Sequence, residues 1–114
     1  MPKQNLSLRT IPLNVGQAIQ KFGRNIATAR KRRGLKQADL AAKVGISTQT
    51  MQTVERGATT TSIGAYFMCA WALGLYAEIE NLLAPERDEE GKALEMRLTP
   101  QRVRNQSGKL DDDF

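Results

Sequence analysis

Five residues carry a recognisable chemistry: Thr48, Gln49, Gln52, Thr53 and Arg56. At helical spacing they share one side, and Met51 and Val54 fall on the other. Glutamine can pair bidentately with adenine N6 and N7. Threonine offers a hydroxyl and a methyl group that suits the thymine methyl. Arg56, at the far end of this side, can reach a phosphate or a guanine. Thr48, Gln49, Gln52 and Thr53 are therefore the predicted base-reading set. The plainer alternative is a solvated helix face. Such faces usually carry Glu/Lys pairs, whereas here four uncharged polar residues sit in a basic half-chain.

The elements that must position this face follow from caps and periodicity. Lys36 to Gly57 reads as two short helices joined by a tight turn. The first covers about residues 37–43 and buries Leu40, Ala41 and Val44. Gly45 supplies the turn, which lets two helices meet at a steep angle. Ser47 caps the second helix, Ile46 packs on Met51 across that cap, and Gly57 closes it.

A helix precedes this pair. Asn14 is its expected N-cap, with Gln17 as the capping-box partner. Val15, Ala18, Ile19, Phe22, Ile26 and Ala29 form its inward stripe. Gly16 and Gly23 weaken it, so its first two turns are expected to fray or bend. Arg30-Lys31-Arg32-Arg33 occupies the last turn, suiting the helix dipole, phosphate contact or both, and Gly34 ends it.

Two more helices follow a polar loop at residues 58–61. Ser62 caps the fourth, IGAYFMCAWAL, which is apolar all round and ends at Gly74. The fifth runs from Leu75 to Leu83 through Ile79 and Leu82, stopped by Pro85. The expected fold is all-α. A flexible arm spans 1–13 and a five-helix domain 14–84, with the central helix pair at 37–56. A charged tail, 85–114, is partly helical or disordered and available to a partner. Within it Ala93, Leu94 and Leu98 keep helical spacing before Pro100. The terminal Asp111-Asp112-Asp113-Phe114 is idle or docks in a partner's groove.

Composition narrows the function. The chain has 114 residues, 40% hydrophobic but only 5% aromatic, so a small aliphatic core is expected. The net charge of +5 is unevenly spread. Residues 1–57 hold 11 Lys/Arg against 2 Asp/Glu, and residues 58–114 hold 6 against 10. A basic half suits a polyanion, and an acidic half suits a different partner or none. One cysteine, Cys69, and no histidine exclude an internal disulfide and leave no metal-ligand spacing. Cys69 is expected to be a small buried hydrophobe. No nucleophile pair, cofactor motif or phosphate loop is present, so neither an enzyme nor a cofactor is expected. The longest apolar run, Ala65 to Leu75, has 11 residues, too short to span a membrane. A cytoplasmic chain is expected.

Residues 22–83 resemble a lambda-repressor-like, Cro-type helix-turn-helix domain. The resemblance rests on Gln37-Ala38-Asp39-Leu40-Ala41, Val44-Gly45-Ile46-Ser47, Val54-Glu55-Arg56-Gly57 and Ala72-Leu73-Gly74-Leu75. It implies that Gln37 hydrogen-bonds a DNA phosphate and that Ser47, Thr48, Gln49 and Thr53 face the groove. It also implies a structural ion pair between Glu55 and Arg30. The expected phosphate-contacting set is Gln37, Ser47, Arg56, Lys36, Lys43 and Thr60. The tail Ala84-Pro85-Glu86-Arg87-Asp88-Glu89-Glu90-Gly91-Lys92-Ala93-Leu94-Glu95, with Pro100-Gln101-Arg102-Val103-Arg104, is similar to those of HipB-like antitoxins, which partner HipA-like Ser/Thr kinases.

The expected function is a sequence-specific repressor acting as a homodimer on double-stranded DNA, at an inverted-repeat operator. The fourth helix has more apolar surface than one core can bury, so the seam is placed on Tyr66, Phe67, Trp71, Leu75 and Ile79. The expected toxin partner is a HipA-like kinase. The alternatives are a phage or prophage repressor without a toxin, and an interaction module that keeps the fold without binding DNA.

Overall fold

Gln37 to Val44 and Thr48 to Arg56 are both helical, joined at Gly45 in the left-handed region (φ 76°). The computed structural model describes residues 11–106, with side chains to residue 98. The arm residues 1–10 and the terminal Asp111-Asp112-Asp113-Phe114 lie outside the described residues, as do the side chains of Pro100 to Arg104. Every described element is helical: α1 (Leu13–Arg32), α2 (Gln37–Val44), α3 (Thr48–Arg56), α4 (Ile63–Ala72), α5 (Tyr76–Glu80) and α6 (Glu89–Gln106), with a 3-10 turn at Pro85–Arg87. The described residues divide into two units between Glu80 and Asn81.

In the first unit α1 packs on α3, α2 on α3 and α4, and α4 on α5. The core is aliphatic and sulfur-rich. Leu40, Met51, Val54 and Cys69 are fully buried, with Ile26, Tyr66 and Leu73 beside them. The Tyr66 ring lies 5.4 Å from that of Phe22, and its hydroxyl donates to the Ala58 carbonyl at 2.8 Å. One aromatic thereby fills the core and ties down the loop after α3.

Helix α1 departs from expectation at its start. It begins at Leu13, its N-cap is Pro12, and no side chain caps it; Asn14 lies inside the helix. Pro12 has a fixed φ and no N–H of its own to satisfy, and its carbonyl accepts from the N–H groups of Val15 at 3.1 Å and Gly16 at 3.2 Å. Val15 and Ala18 are exposed. The covered side of the first two turns runs instead through Gly16 and Ile19.

The two glycines expected to weaken α1 do not interrupt it. Gly23 marks the point where α1 touches α3: a Cβ there would stand 2.5 Å from the Val54 carbonyl oxygen and 2.8 Å from that of Glu55. Gly57 answers from the other side, since its Cβ would strike the backbone of Gln20. Gly57 also needs its left-handed φ of 76°, which closes α3 through bonds from its own N–H to Val54 and from Ala58 N–H to Thr53.

The fifth helix is shorter than the periodicity predicts, ending at Glu80 rather than Leu83. Pro85 disfavours helical backbone at the residue before it and has no N–H to continue the ladder. Ala84 is extended (φ −59°, ψ 130°), its N–H turns back to the Asn81 carbonyl, and Leu83 takes a positive φ of 58°. Leu82 is exposed and Leu83 is 98% exposed.

In the second unit Asp88 caps α6, its Oδ1 accepting from Gly91 N–H at 2.8 Å. The acidic first turn of Glu89 and Glu90 suits the helix dipole. The helix continues through Pro100. Proline removes one intrahelical N–H but leaves its neighbours' bonds available.

Candidate nucleic-acid interface

The placement of α3 starts from its cap. Ser47 Oγ accepts the Thr50 N–H at 3.0 Å and donates to the Thr50 hydroxyl at 2.9 Å. Met51, Val54 and Glu55 point inward and are buried. Ile46 packs against the cluster that contains Met51. Three anchored residues over two turns leave the opposite side to solvent.

On that side Thr48, Gln49 and Gln52 are exposed together, with Arg56 exposed at the far end. Their amides and hydroxyls bond to nothing else among the described residues. Thr53 differs. It is half-buried, its hydroxyl donates to the Thr50 carbonyl at 2.7 Å, and the Thr61 hydroxyl donates to it at 3.3 Å. Its proton is committed to the backbone, so what it can offer a base is chiefly the methyl group.

Beneath the face lies a three-residue network. Glu55 accepts from Nε and Nη2 of Arg30, the latter at 3.0 Å, and Arg30 Nη1 donates to the Leu35 carbonyl at 2.7 Å. Both side chains are buried. Gln37 Nε2 donates to Glu55 Oε1 at 2.9 Å. The Gln37 amide is thus held from below, at the start of α2, with its second N–H free for another acceptor.

The other expected phosphate contacts surround α3 in sequence. Lys36 is exposed before α2, its backbone N–H donating to Asp39 Oδ2 at 2.8 Å. Lys43 is exposed in the last turn of α2, and Thr60 in the loop after α3. The acids of residues 11–57 are both occupied: Asp39 by the α2 N-terminus and Glu55 by Arg30 and Gln37. Among residues 11–57 the exposed cations, Lys36, Lys43 and Arg56 included, outnumber the one exposed acid, Asp39, a balance that suits a phosphate backbone.

The set placed at a dimer seam divides. Tyr66, 5% exposed, and Ile79 belong to the core of the single chain and are corrected to that role. Phe67 and Leu75 are half-buried against the core. Trp71 is 58% exposed. The sequence reading missed Ile63, 67% exposed, and with it Met68 and Tyr76, also exposed. Ile63, Phe67 and Trp71 recur every four residues along α4, and that spacing was the available signal.

Cys69 is buried with its Sγ 3.9 Å from the Met51 sulfur. Burial first, and then the Glu55 charge, push its thiol up to about 11. It remains a protonated core residue at neutral pH. Among the described residues no group of His, Cys, Asp and Glu is arranged to hold a metal ion, and no helix is long and apolar enough to cross a membrane.

A family profile described as a helix-turn-helix domain matches residues 21–80, just over half of the sequence. The chain belongs to that helix-turn-helix family. No curated protein and no solved structure matches it significantly. The matched segment begins in the middle of α1 and ends with α5, so it includes every element that buries or presents α3. Membership supports a DNA-binding regulator of the Cro type, with DNA as the partner.

Proposed function

We propose that the chain is a sequence-specific transcriptional repressor that binds an inverted-repeat operator as a homodimer. The observation that carries this reading is the shared exposure of Thr48, Gln49 and Gln52 on a helix whose other side is anchored by Met51, Val54 and Glu55. In this reading α3 enters the major groove. Gln49 and Gln52 read adenines, and Thr48 and the Thr53 methyl group meet thymine methyls. Gln37, Ser47, Arg56, Lys36, Lys43 and Thr60 grip phosphates and set the register.

The apolar side of α4 supports the dimer. Ile63, Met68 and Trp71 are exposed along this one helix, and exposed apolar side chains grouped on one element suit a protein–protein contact. A second copy seated there sets two recognition helices about 34 Å apart, one turn of DNA. The test is a mobility shift and footprint on DNA from upstream of the gene. A symmetric protected site whose affinity falls steeply with salt supports the reading. Equal affinity for all duplexes sinks it.

The partner reading is the antitoxin and autoregulator of a HipA-like Ser/Thr kinase. Its support is the resemblance of residues 84–95 and 100–104 to HipB-like tails, together with the exposed Leu82 and Leu83 beside a cleft that Arg87 helps line. Co-expression with a kinase encoded alongside, followed by pull-down, tests it. Failure to co-purify leaves the alternative of a phage or prophage repressor without a toxin.

A further inference from the structure

The outer face of α1 is a second basic surface that the recognition helix does not use. Lys21, Arg24, Lys31 and Arg32 are all exposed. At 3.6 residues per turn they lie within an arc of about 100°, along roughly 16 Å of helix. The opposite side of α1, through Gly23, Ile26, Ala29 and Arg30, is buried. Gly23 meets the Val54 and Glu55 carbonyls, so that buried side is the one turned toward α3. The basic ridge therefore faces away from α3, and the base-reading side of α3 faces away from α1. One straight duplex cannot lie along both.

This ridge is unlike an ordinary solvated helix face, which offsets its cations with acids one turn away. Helix α1 contains no Asp or Glu. The ion pairs among the described residues, Arg30–Glu55 and Lys92–Glu89, involve none of the four ridge cations. Thr28 stands between them, with Gln17 one turn before Lys21 and Asn25 at the edge of the arc, all three exposed and neutral. Amides and hydroxyls beside Lys and Arg are the donors that DNA backbones take. A membrane surface would require a continuous apolar flank beside the cations; Phe22, Ile26 and Ala29 are turned to the core, and the large apolar residues that α1 exposes, Leu13 and Val15, are confined to its first turn. A duplex presents one negative charge per about 1.7 Å of its axis, ample for four cations over the length of this ridge.

We propose that the outer face of α1 is a sequence-independent site for the phosphate backbone of a second DNA duplex, so that the protein bridges two DNA segments. The site adds to base readout by α3 and does not depend on it. The test is capture of a labelled duplex of unrelated sequence by bead-bound operator DNA in the presence of the full chain. The K21Q/R24Q/K31Q/R32Q variant is expected to lose capture at least tenfold while keeping its helical circular dichroism and its operator affinity in a separate mobility shift. The charge-preserving K21R/K31R variant is expected to retain capture. With the operator site kept saturated, binding of the second duplex should weaken with a log–log salt slope approaching about −3.6, the value for four neutralised phosphates. A Q49A/Q52A variant separates the two readings: it should lose operator preference yet still bind duplex through α1. Undiminished capture by the four-residue variant overturns the proposal. So does parallel loss of capture and operator binding, or preferential binding of phosphatidylserine vesicles over DNA.

Discussion

Gln37 donates its side-chain amide to Glu55 at 2.9 Å, across 18 residues of sequence. The same carboxylate is clamped by Arg30, 25 residues before it. A polar residue at the start of α2 is thereby tied to the underside of α3 through a buried anion. The expected phosphate contact and the proposed base-reading helix are joined in one hydrogen-bonded network.

The Arg30–Glu55 pair is expected to dominate the stability of this region. Replacing Glu55 by Ala leaves a buried guanidinium without its counter-charge, at a cost of about 3–5 kcal/mol. A paired R30M/E55L variant should lose less than either single variant, because it leaves no lone charge. Urea denaturation of the four proteins measures the difference, and strictly additive losses would argue against coupling.

Gly23→Ala should destabilise the fold despite alanine's higher helix propensity. The added Cβ meets carbonyl oxygens of α3 at 2.5 Å and 2.8 Å, and forcing the helices apart costs about 1–3 kcal/mol. Operator affinity should fall with it, since α3 tilts. A rise in melting temperature would show that the α1–α3 approach is not as close as described.

Gln49→Ala is expected to cost about 1–3 kcal/mol at one base pair of the operator and to relax preference there. Arg56→Gln should instead weaken binding to all sequences and reduce the salt slope by about one unit. Competition against single-base operator variants distinguishes the two patterns.

Trp71→Lys tests the apolar side of α4. Trp71 is exposed in the single chain, so the substitution should leave folding intact and shift a dimer toward monomer in equilibrium sedimentation. An unchanged mass with wild-type stability would place the seam elsewhere.

The core thiol predicts a response to pH. Cys69 is raised from 9.0 to about 11, and burial also raises Tyr66 above its usual 10.0. Each is an acid kept neutral by folding, so the unfolded chain releases protons first as pH rises. Stability should therefore hold below pH 9 and decline through pH 11. Cys69→Ser should flatten part of that decline in pH-dependent melts. A thiol reagent at pH 8 should label Cys69 only after unfolding.

Much of the fold was legible because its signals are local. Ser47 and Ser62 each accept an N–H three residues on. Gly34, Gly45, Gly57 and Gly74 take the positive φ that ends their helices. Such interactions close within one turn, and residue type alone nearly decides them. The anchored Met51 and Val54 and the exposed Thr48, Gln49 and Gln52 followed from a single period. Local signals failed where a competing one lay nearby: Asn14 yielded to Pro12, and the apolar spacing through Leu83 yielded to Pro85.

The sequence by itself determined five helices, the turn at Gly45 and the outward side of α3, because each depends on neighbours within about a turn. Only the tertiary structure decided that Gly23 and Gly57 are contact points and that Tyr66 and Ile79 belong to the core. It alone turned the Thr53 hydroxyl onto the backbone and Gln37 onto Glu55, and separated the α1 ridge from α3. Apart from the Thr53 bond, these rest on which helix faces meet. Residues distant in the chain settle that by excluding water and filling volume together, which no single stretch encodes.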